Sequence, residues 1–330
     1  MKAIRFHGVG DVRCEDVPQP SPAPGEVLIR VAYAGICGSD LHIFRKGMFV
    51  RHVPETMGHE FVGHVVAYGV GVKGLTEGQT VIANPMVPCG ACPSCAAGQY
   101  NTCDDLSFIG ECRPGCFASY VALPAREVIP VPAGDLQHLA LCEPLAVALN
   151  ICERAKFSPG DRVAVLGAGP IGLLTIAAAR ALYGVSVIDA YDCAPERLRL
   201  AQKVGAAAVG AAPPDGAQYD FMIDAAGVSA TLQTGLRCLR AGGTLLVVSI
   251  FENPVNDFDI NAVVAHQLSL VGCNVYEKRH LFEAAEAIAS GKIAVEPLIS
   301  AVYPPESCGE AFARLTGADK TAAKVLFTFA

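Results

Sequence analysis

Apolar positions in the first 145 or so residues come in short alternating runs, such as Glu26–Ala32 (EVLIRVA) and Phe61–Ala67, separated by frequent proline and glycine. Alternation at a period of two between turn residues predicts short strands and an irregular, mostly β domain. The pattern changes near Glu143. From Arg162, β-branched runs alternate with alanine-rich stretches of helical length: VAVLGA, IGLLTIAAARAL, VSVIDAYD and ERLRLAQKVGA. FMIDAAG, a helix over Ala230–Leu239, TLLVVSI, a helix near Ile260–Gln267 and LSLVGCNV follow. Such alternation specifies βαβ units and a parallel sheet with helices on both faces. The Gly-Ala stretch Val209–Gly216 reads as a loop between units. After about Arg279 an amphipathic helix (HLFEAAEAIASG) leads through LISAVYPPESCGEAFARL to a closing strand, KVLFTF.

Composition narrows the class. A chain of 330 residues, 52% hydrophobic and 17% charged, predicts two compact globular domains. The net charge of −7, without any basic cluster, argues against nucleic acid as a partner. Val163–Ala179 is uncharged for 17 residues, but Gly167, Gly169, Pro170 and Gly172 interrupt it and Arg162 and Arg180 bound it. It is no membrane span. The start, MKAIRFHGVGDVRCEDVP, lacks the apolar run of a signal peptide. Fourteen cysteines without an export signal imply thiols and metal ligands in the cytoplasm, not a disulfide framework.

Two motifs carry chemistry. Cys89, Cys92, Cys95 and Cys103 are separated by two, two and seven residues. That spacing suits one tetrahedral metal with four thiolates, and a zinc site with no open position is structural. Iron–sulfur ligation or a redox pair competes with zinc on spacing alone. Gly167, Gly169, Pro170, Ile171 and Gly172 make a GxGxxG turn between a β-branched strand and a long helix, and Asp192 ends the next strand 20 residues past Gly172. The glycines allow a tight turn, close approach of a pyrophosphate and helix–strand packing. The helix start offers unpaired N–H groups to the phosphates. Asp192 would bind the ribose hydroxyls and repel a 2′-phosphate, which favours NAD over NADP. Asp189, earlier in that strand, is the lesser ribose ligand. Arg197 lies along the adenosine edge or is an ordinary solvated helix charge.

Upstream stand Cys37-Gly38-Ser39-Asp40-Leu41-His42 and Gly58-His59-Glu60, and Cys142-Glu143-Pro144-Leu145 comes where the texture changes. In this order, with the four-cysteine loop and the glycine turn, these motifs resemble the zinc-containing medium-chain dehydrogenases, polyol branch. The resemblance covers essentially the whole chain. It implies an α/β protein: a GroES-like β domain (1–145), a Rossmann doubly wound parallel-sheet domain (146–279), and a return to the first domain (280–330).

The resemblance further implies two zinc ions, one catalytic and one structural, with NAD as hydride acceptor. Cys37 and His59 match catalytic zinc ligands, and Glu143 matches the acid of polyol-type members. Glu60 ligates the metal or stands just behind it. Cys142 is the rival to Glu143, being the softer ligand. Ser39 would take the hydroxyl proton and His42 would relay it, with Asp40 fixing the tautomer of His59. The expected substrate is a small-molecule secondary alcohol (a polyol, sugar alcohol or sugar acid) oxidised to a ketone. Threonine or a vicinal diol is the alternative, and an inactive NAD(H)-binding regulator the reading from another class. Relatives pair nucleotide domains through a strand matching Leu268–Val275, which implies a homodimer or homotetramer. Asn150, where many relatives carry histidine, and the stretch Arg113–Phe117 depart from the family pattern. Arg45, Lys46 and Arg51 are read as a solvated loop.

Overall fold

The computed structural model describes residues 1–256, 258–317 and 320–329, which form two compact units. The first comprises residues 1–143, 277–291 and 299–330. The second comprises residues 144–276 and 292–298. The first division falls in the opening turn of the helix Cys142–Ala155.

The first unit is built on a seven-stranded sheet. Its order runs Val128–Pro130, Thr80–Ala83, Glu60–Tyr68, Glu26–Gly35, Lys324–Thr328, Ile299–Tyr303, with Tyr120–Pro124 also pairing with Glu26–Gly35. The closing strand of the chain is therefore interior to the sheet. It runs antiparallel to Glu26–Gly35 with Leu326 opposite Gly35 and Phe327 opposite Ala34. Because Glu60 lies opposite Gly35 on the other side, three strands meet at that glycine. A Cβ at Gly35 would run into the Glu60 carboxylate and Leu326, so only glycine fits. Ile4, Ile29, Phe117, Phe312 and Phe327 fill the core, the Phe117 and Phe327 rings meeting edge-on at 5.1 Å.

The helix Gly38–Lys46 leaves this sheet directly. Cys37, still extended, is its N-cap residue; Asp40 Oδ2 accepts from the Cys37 N–H at 2.8 Å, and Gly47 closes the helix in the left-handed conformation.

The second unit carries a six-stranded, all-parallel sheet. Its order is Ala208–Gly210, Val187–Tyr191, Arg162–Leu166, Tyr219–Asp224, Leu239–Val247, Ser269–Gly272. Reading outward from the first strand in both directions gives the doubly wound topology, with its switch point between Arg162–Leu166 and Tyr219–Asp224.

Several element bounds differ from the sequence pattern. Ala208–Gly210 is an edge strand, not part of a loop, pairing in register with Asp189–Tyr191. Its small side chains give no alternation to read. The helices are Ser229–Arg237 and Ile260–Ala265, and only Ser269–Gly272 of the last apolar run is a strand. Buried Asn150 donates to the Val275 carbonyl at 2.8 Å and so anchors the chain just beyond that strand. No helix among the described residues is long and apolar enough to cross a membrane.

Candidate active site

Cys37, at the end of the strand Glu26–Gly35, and His59-Glu60, opening the strand Glu60–Tyr68, place one donor atom each within 4.8 Å of one another. His59 and Glu60 are buried. A thiolate, an imidazole and a carboxylate gathered out of water are a donor set that suits zinc with room for a further ligand. Burial works against a charged His59, but the Cys37 thiolate, its hydrogen bond, and the Asp40 and Glu143 carboxylates hold the imidazole pKa well above its ordinary value. This is the electrostatic character of a site shaped for a cation.

Glu60 is held from behind by a residue that no motif signalled. Lys324 Nζ donates to Glu60 Oε2 at 2.5 Å and to the Ile36 carbonyl at 3.0 Å. Both side chains of this ion pair are 1% exposed. Burial opposes the Lys324 charge, yet Glu60, Cys37 and Glu143 raise its pKa. Lysine in an otherwise apolar strand reads as an edge or a terminus; only the sheet register shows that it faces Glu60.

Other sequence candidates sort themselves around this cluster. Glu143 is buried and acts on His59 and Lys324 electrostatically, but its carboxylate lies outside the three-residue cluster. Cys142 is buried too but lies outside the cluster, and burial alone pushes its thiol pKa up strongly. The expected Asp40–His59 hydrogen bond is not made: Asp40 Oδ1 and His59 Nδ1 are both buried without a protein partner, while Asp40 Oδ2 caps the helix and the two groups act on each other electrostatically. Burial raises the Asp40 carboxyl to about 6. Ser39 Oγ is likewise buried, and it forms no hydrogen bond of good geometry, although it lies close enough to the Glu111 carboxyl to act on it. His42 follows Ser39 by three residues on the same helix and so shares its face. Arg45, Lys46 and Arg51 are exposed, and Arg51 reaches Asp105 at 3.4 Å.

The segment 107–117 packs against this cluster. Phe108 sets its ring edge-on to the His59 imidazole, centroids 5.6 Å apart. Cys116 N donates to the Gly58 carbonyl at 2.9 Å and Gly115 N to the Thr56 carbonyl at 2.8 Å. Gly58 has φ +88°, and a Cβ there would strike Phe117; Cβ atoms at Gly110 or Gly115 would strike Gly58 itself. The departure at Arg113–Phe117 thus packs against Gly58, one residue before His59. Burial raises the Glu111 carboxyl pKa, against the lowering pull of His59 and of the Ser39 hydroxyl.

The four-cysteine loop closes into a cluster whose Sγ atoms all lie within 4.8 Å of one another. Cys89 Sγ–Cys95 Sγ and Cys92 Sγ–Cys103 Sγ are each 3.9 Å, too long for disulfides. A tetrahedron with Zn–S bonds of about 2.3 Å has edges of about 3.8 Å, so the thiols fit zinc closely. Backbone N–H donors from Asp104 and Cys95 draw the Cys92 thiol down to about 6, while burial pushes Cys95 up to about 12.

In the second unit Gly167 has φ +97°, and a Cβ there would press on Ala225 and Ala226. A Cβ at Gly172 would collide with the Gly167 carbonyl, whereas Gly169, the N-cap residue of the helix Pro170–Tyr183, faces open space. Open approach at the second glycine and close packing at the first and third fit a pyrophosphate over the helix start. Asp192 accepts from Ala168 N and Ala194 N, both at 2.8 Å, and Arg197 Nη1 stands 3.8 Å from it. Asp189 is occupied elsewhere, accepting from the Tyr219 hydroxyl at 2.7 Å. Asp224, unnoticed in the sequence, accepts through Oδ1 from Ala226 N, Gly227 N and Thr231 Oγ1 at 3.0–3.1 Å, fixing the loop that packs on Gly167.

Residues 23–133 match the alcohol dehydrogenase GroES-like domain and residues 170–290 the zinc-binding dehydrogenase domain. The chain is similar to the 2-dehydro-3-deoxy-L-galactonate 5-dehydrogenase of Pseudoalteromonas atlantica, at 36% identity over 90% of each chain. It is similar also to the D-xylulose reductase A of Aspergillus niger, at 35% identity over 93% of this chain and 91% of that one. A crystal structure of a zinc-binding dehydrogenase from Sinorhizobium meliloti bound to NADP superposes with a TM-score of 0.92 at 32% identity, covering 99% of this chain and 98% of the other. With a GroES-like first unit, a doubly wound second unit and both metal clusters in place, the chain belongs to the zinc-binding dehydrogenases of the alcohol dehydrogenase type.

Proposed function

We propose that the protein oxidises a secondary alcohol on a polyol, sugar alcohol or sugar acid to the ketone, with NAD as acceptor. The observation that carries this reading is the donor set at the cluster: Cys37 and His59 with a carboxylate, Glu60, while the second thiol, Cys142, stands apart. Relatives named for sugar-acid and xylulose substrates support the same class. Bound zinc supplies a Lewis acid that lowers the pKa of an alcohol, and bound NAD accepts the hydride.

The chain's own residues do the rest. Cys37, His59 and the carboxylates of Glu60 and Glu143 would hold the catalytic zinc, and Cys89, Cys92, Cys95 and Cys103 the structural one. Ser39 accepts the proton of the substrate hydroxyl, and His42 on the same helix face passes it on. Gly167, Gly169, Pro170, Ile171 and Gly172 cradle the pyrophosphate, and Asp192 takes the ribose with Arg197 beside it. The S. meliloti protein binds NADP; the preference for NAD here rests on the Asp192 carboxylate. The exposed edge strand Ser269–Gly272, with Leu270 bare, invites pairing with a second copy. We expect a dimer or tetramer, read directly by light scattering. Fourteen cysteines read as thiols and metal ligands support the cytoplasm as the compartment of this reading.

A screen for NADH formation over polyols, sugar acids, their phosphates, diols and amino acids tests the function, run in parallel with NADP. Preference for threonine or a vicinal diol would replace the polyol reading. Bound NADH without turnover on any alcohol would leave a regulator. Equal rates with both cofactors would remove Asp192 from the ribose. Cys95→Ser is expected to lose about one zinc per chain and to lower the melting temperature, since a structural site contributes folding energy outright. Unchanged metal content would end the four-cysteine assignment.

A further inference from the structure

Asp224 lies in register with Leu166 on one side and Val247 on the other, at the carboxyl ends of three neighbouring parallel strands. Its carbonyl accepts from Val248 N at 3.2 Å and from Ser249 Oγ at 3.4 Å. Ala225 N, the next along, donates to the Leu166 carbonyl at 2.9 Å. The backbone here thus ties three strand ends together on the edge where a doubly wound sheet takes its ligand.

The side chain turns back on its own loop. Oδ1 alone accepts from Ala226 N at 3.0 Å and from Gly227 N and Thr231 Oγ1 at 3.1 Å. The carboxylate therefore gathers the loop and the first turn of the helix Ser229–Arg237 onto a single atom. On one side this loop meets the dinucleotide turn: a Cβ at Gly167 would come within 2.9–3.0 Å of Ala225 and Ala226. On the other, a Cβ at Gly227 would strike Ser249 and Ile250. The loop is held between the first glycine of the turn and the chain that follows Leu239–Val247. Asp224 is fully buried, and its Oδ2 makes no hydrogen bond among the described residues. One oxygen supplies the whole clamp, so an amide would keep the acceptor and replace only the idle atom.

We propose that Asp224 is a positioning residue for the dinucleotide: by fixing residues 225–227 against Gly167, it holds the glycine turn in the shape that receives the pyrophosphate. The inference rests on the NAD reading above and deepens it, adding a determinant of cofactor affinity that acts through Gly167. A turn without this wall must be ordered anew each time the cofactor binds, and that ordering opposes binding. Loss of the clamp is expected to weaken binding by about 10- to 100-fold.

The test measures Kd by calorimetry for NADH and for ADP-ribose, which carries the pyrophosphate without nicotinamide. In Asp224→Ala both Kd values should rise by about 10- to 100-fold, and KM for NAD with them. At saturating NAD, kcat should stay within about threefold, and zinc content should not change. Asp224→Asn, which keeps Oδ1, should restore the affinity for both ligands. Thr231→Val removes one of the three bonds and should weaken both ligands by about threefold; it reads the clamp should Asp224→Ala fail to fold. A melting temperature that falls while both Kd values hold, in Asp224→Ala or Thr231→Val, would reduce Asp224 to a structural part and overturn the proposal. So would a loss confined to NADH, which moves the effect to the nicotinamide end, or a loss as large in Asp224→Asn as in Asp224→Ala. A wild type that binds neither ligand takes the cofactor reading down first, and this proposal with it.

Discussion

Cys37→Ser and His59→Ala each reduce NADH formation by at least about 10³-fold, because a Lewis acid at the reacting oxygen is worth several kcal/mol. Each variant loses one of two zinc ions and still binds NADH, since the glycine turn and Asp192 belong to the other unit. Glu143→Ala does comparable harm if its carboxylate swings in to the metal, whereas Cys142→Ala is mild, its thiol lying outside the donor cluster. Metal analysis with steady-state rates on the four variants decides the matter. Should Cys142→Ala lose the metal while Glu143→Ala keeps both metal and rate, the site would be of the two-cysteine kind and the polyol reading would fail.

Lys324→Met has the largest expected effect on stability. Removing one partner of a buried ion pair leaves an uncompensated charge and costs about 3–5 kcal/mol. Glu60 is 1% exposed and its Oε2 lies against Gly35, so bulk solvent cannot take the place of the lysine. The double variant Glu60→Gln/Lys324→Met should recover much of the loss, since the cost lies in the orphaned carboxylate and not in the missing contact. Thermal unfolding of wild type, both single variants and the double variant gives the coupling. A single variant that melts with the wild type would show that Glu60 does not depend on Lys324.

What could be read in the chain, and what could not, follows from the range of the interactions. The four cysteines, the glycine turn with Asp192, and the order of C-G-S-D-L-H, G-H-E and E-P-L lie in local spacing, and local spacing is visible. The parallel sheet was legible because β-branched runs alternate with alanine-rich helices. Lys324 was not: its partner is 264 residues away, and only strand register brings the two together. Asp40 stands in a site motif and acts on His59 electrostatically, but local spacing does not show that one of its oxygens caps the helix and that no direct hydrogen bond joins the pair. Ala208–Gly210 went unread since alanine and glycine carry no alternation.

The position of Lys324–Thr328 in the interior of the first sheet bears on how the protein is made. The nucleotide unit ends at residue 298 and can fold while synthesis continues, whereas the first unit waits for its last strand. Until residues 324–328 have left the ribosome, the edge of Glu26–Gly35 is unpaired along Tyr33–Gly35, and Glu60 lacks its lysine. The nascent chain is therefore exposed to wrong strand partners at the very place where the metal ligands must assemble, and the enzyme becomes competent to load that metal only after the strand Lys324–Thr328 has taken its place.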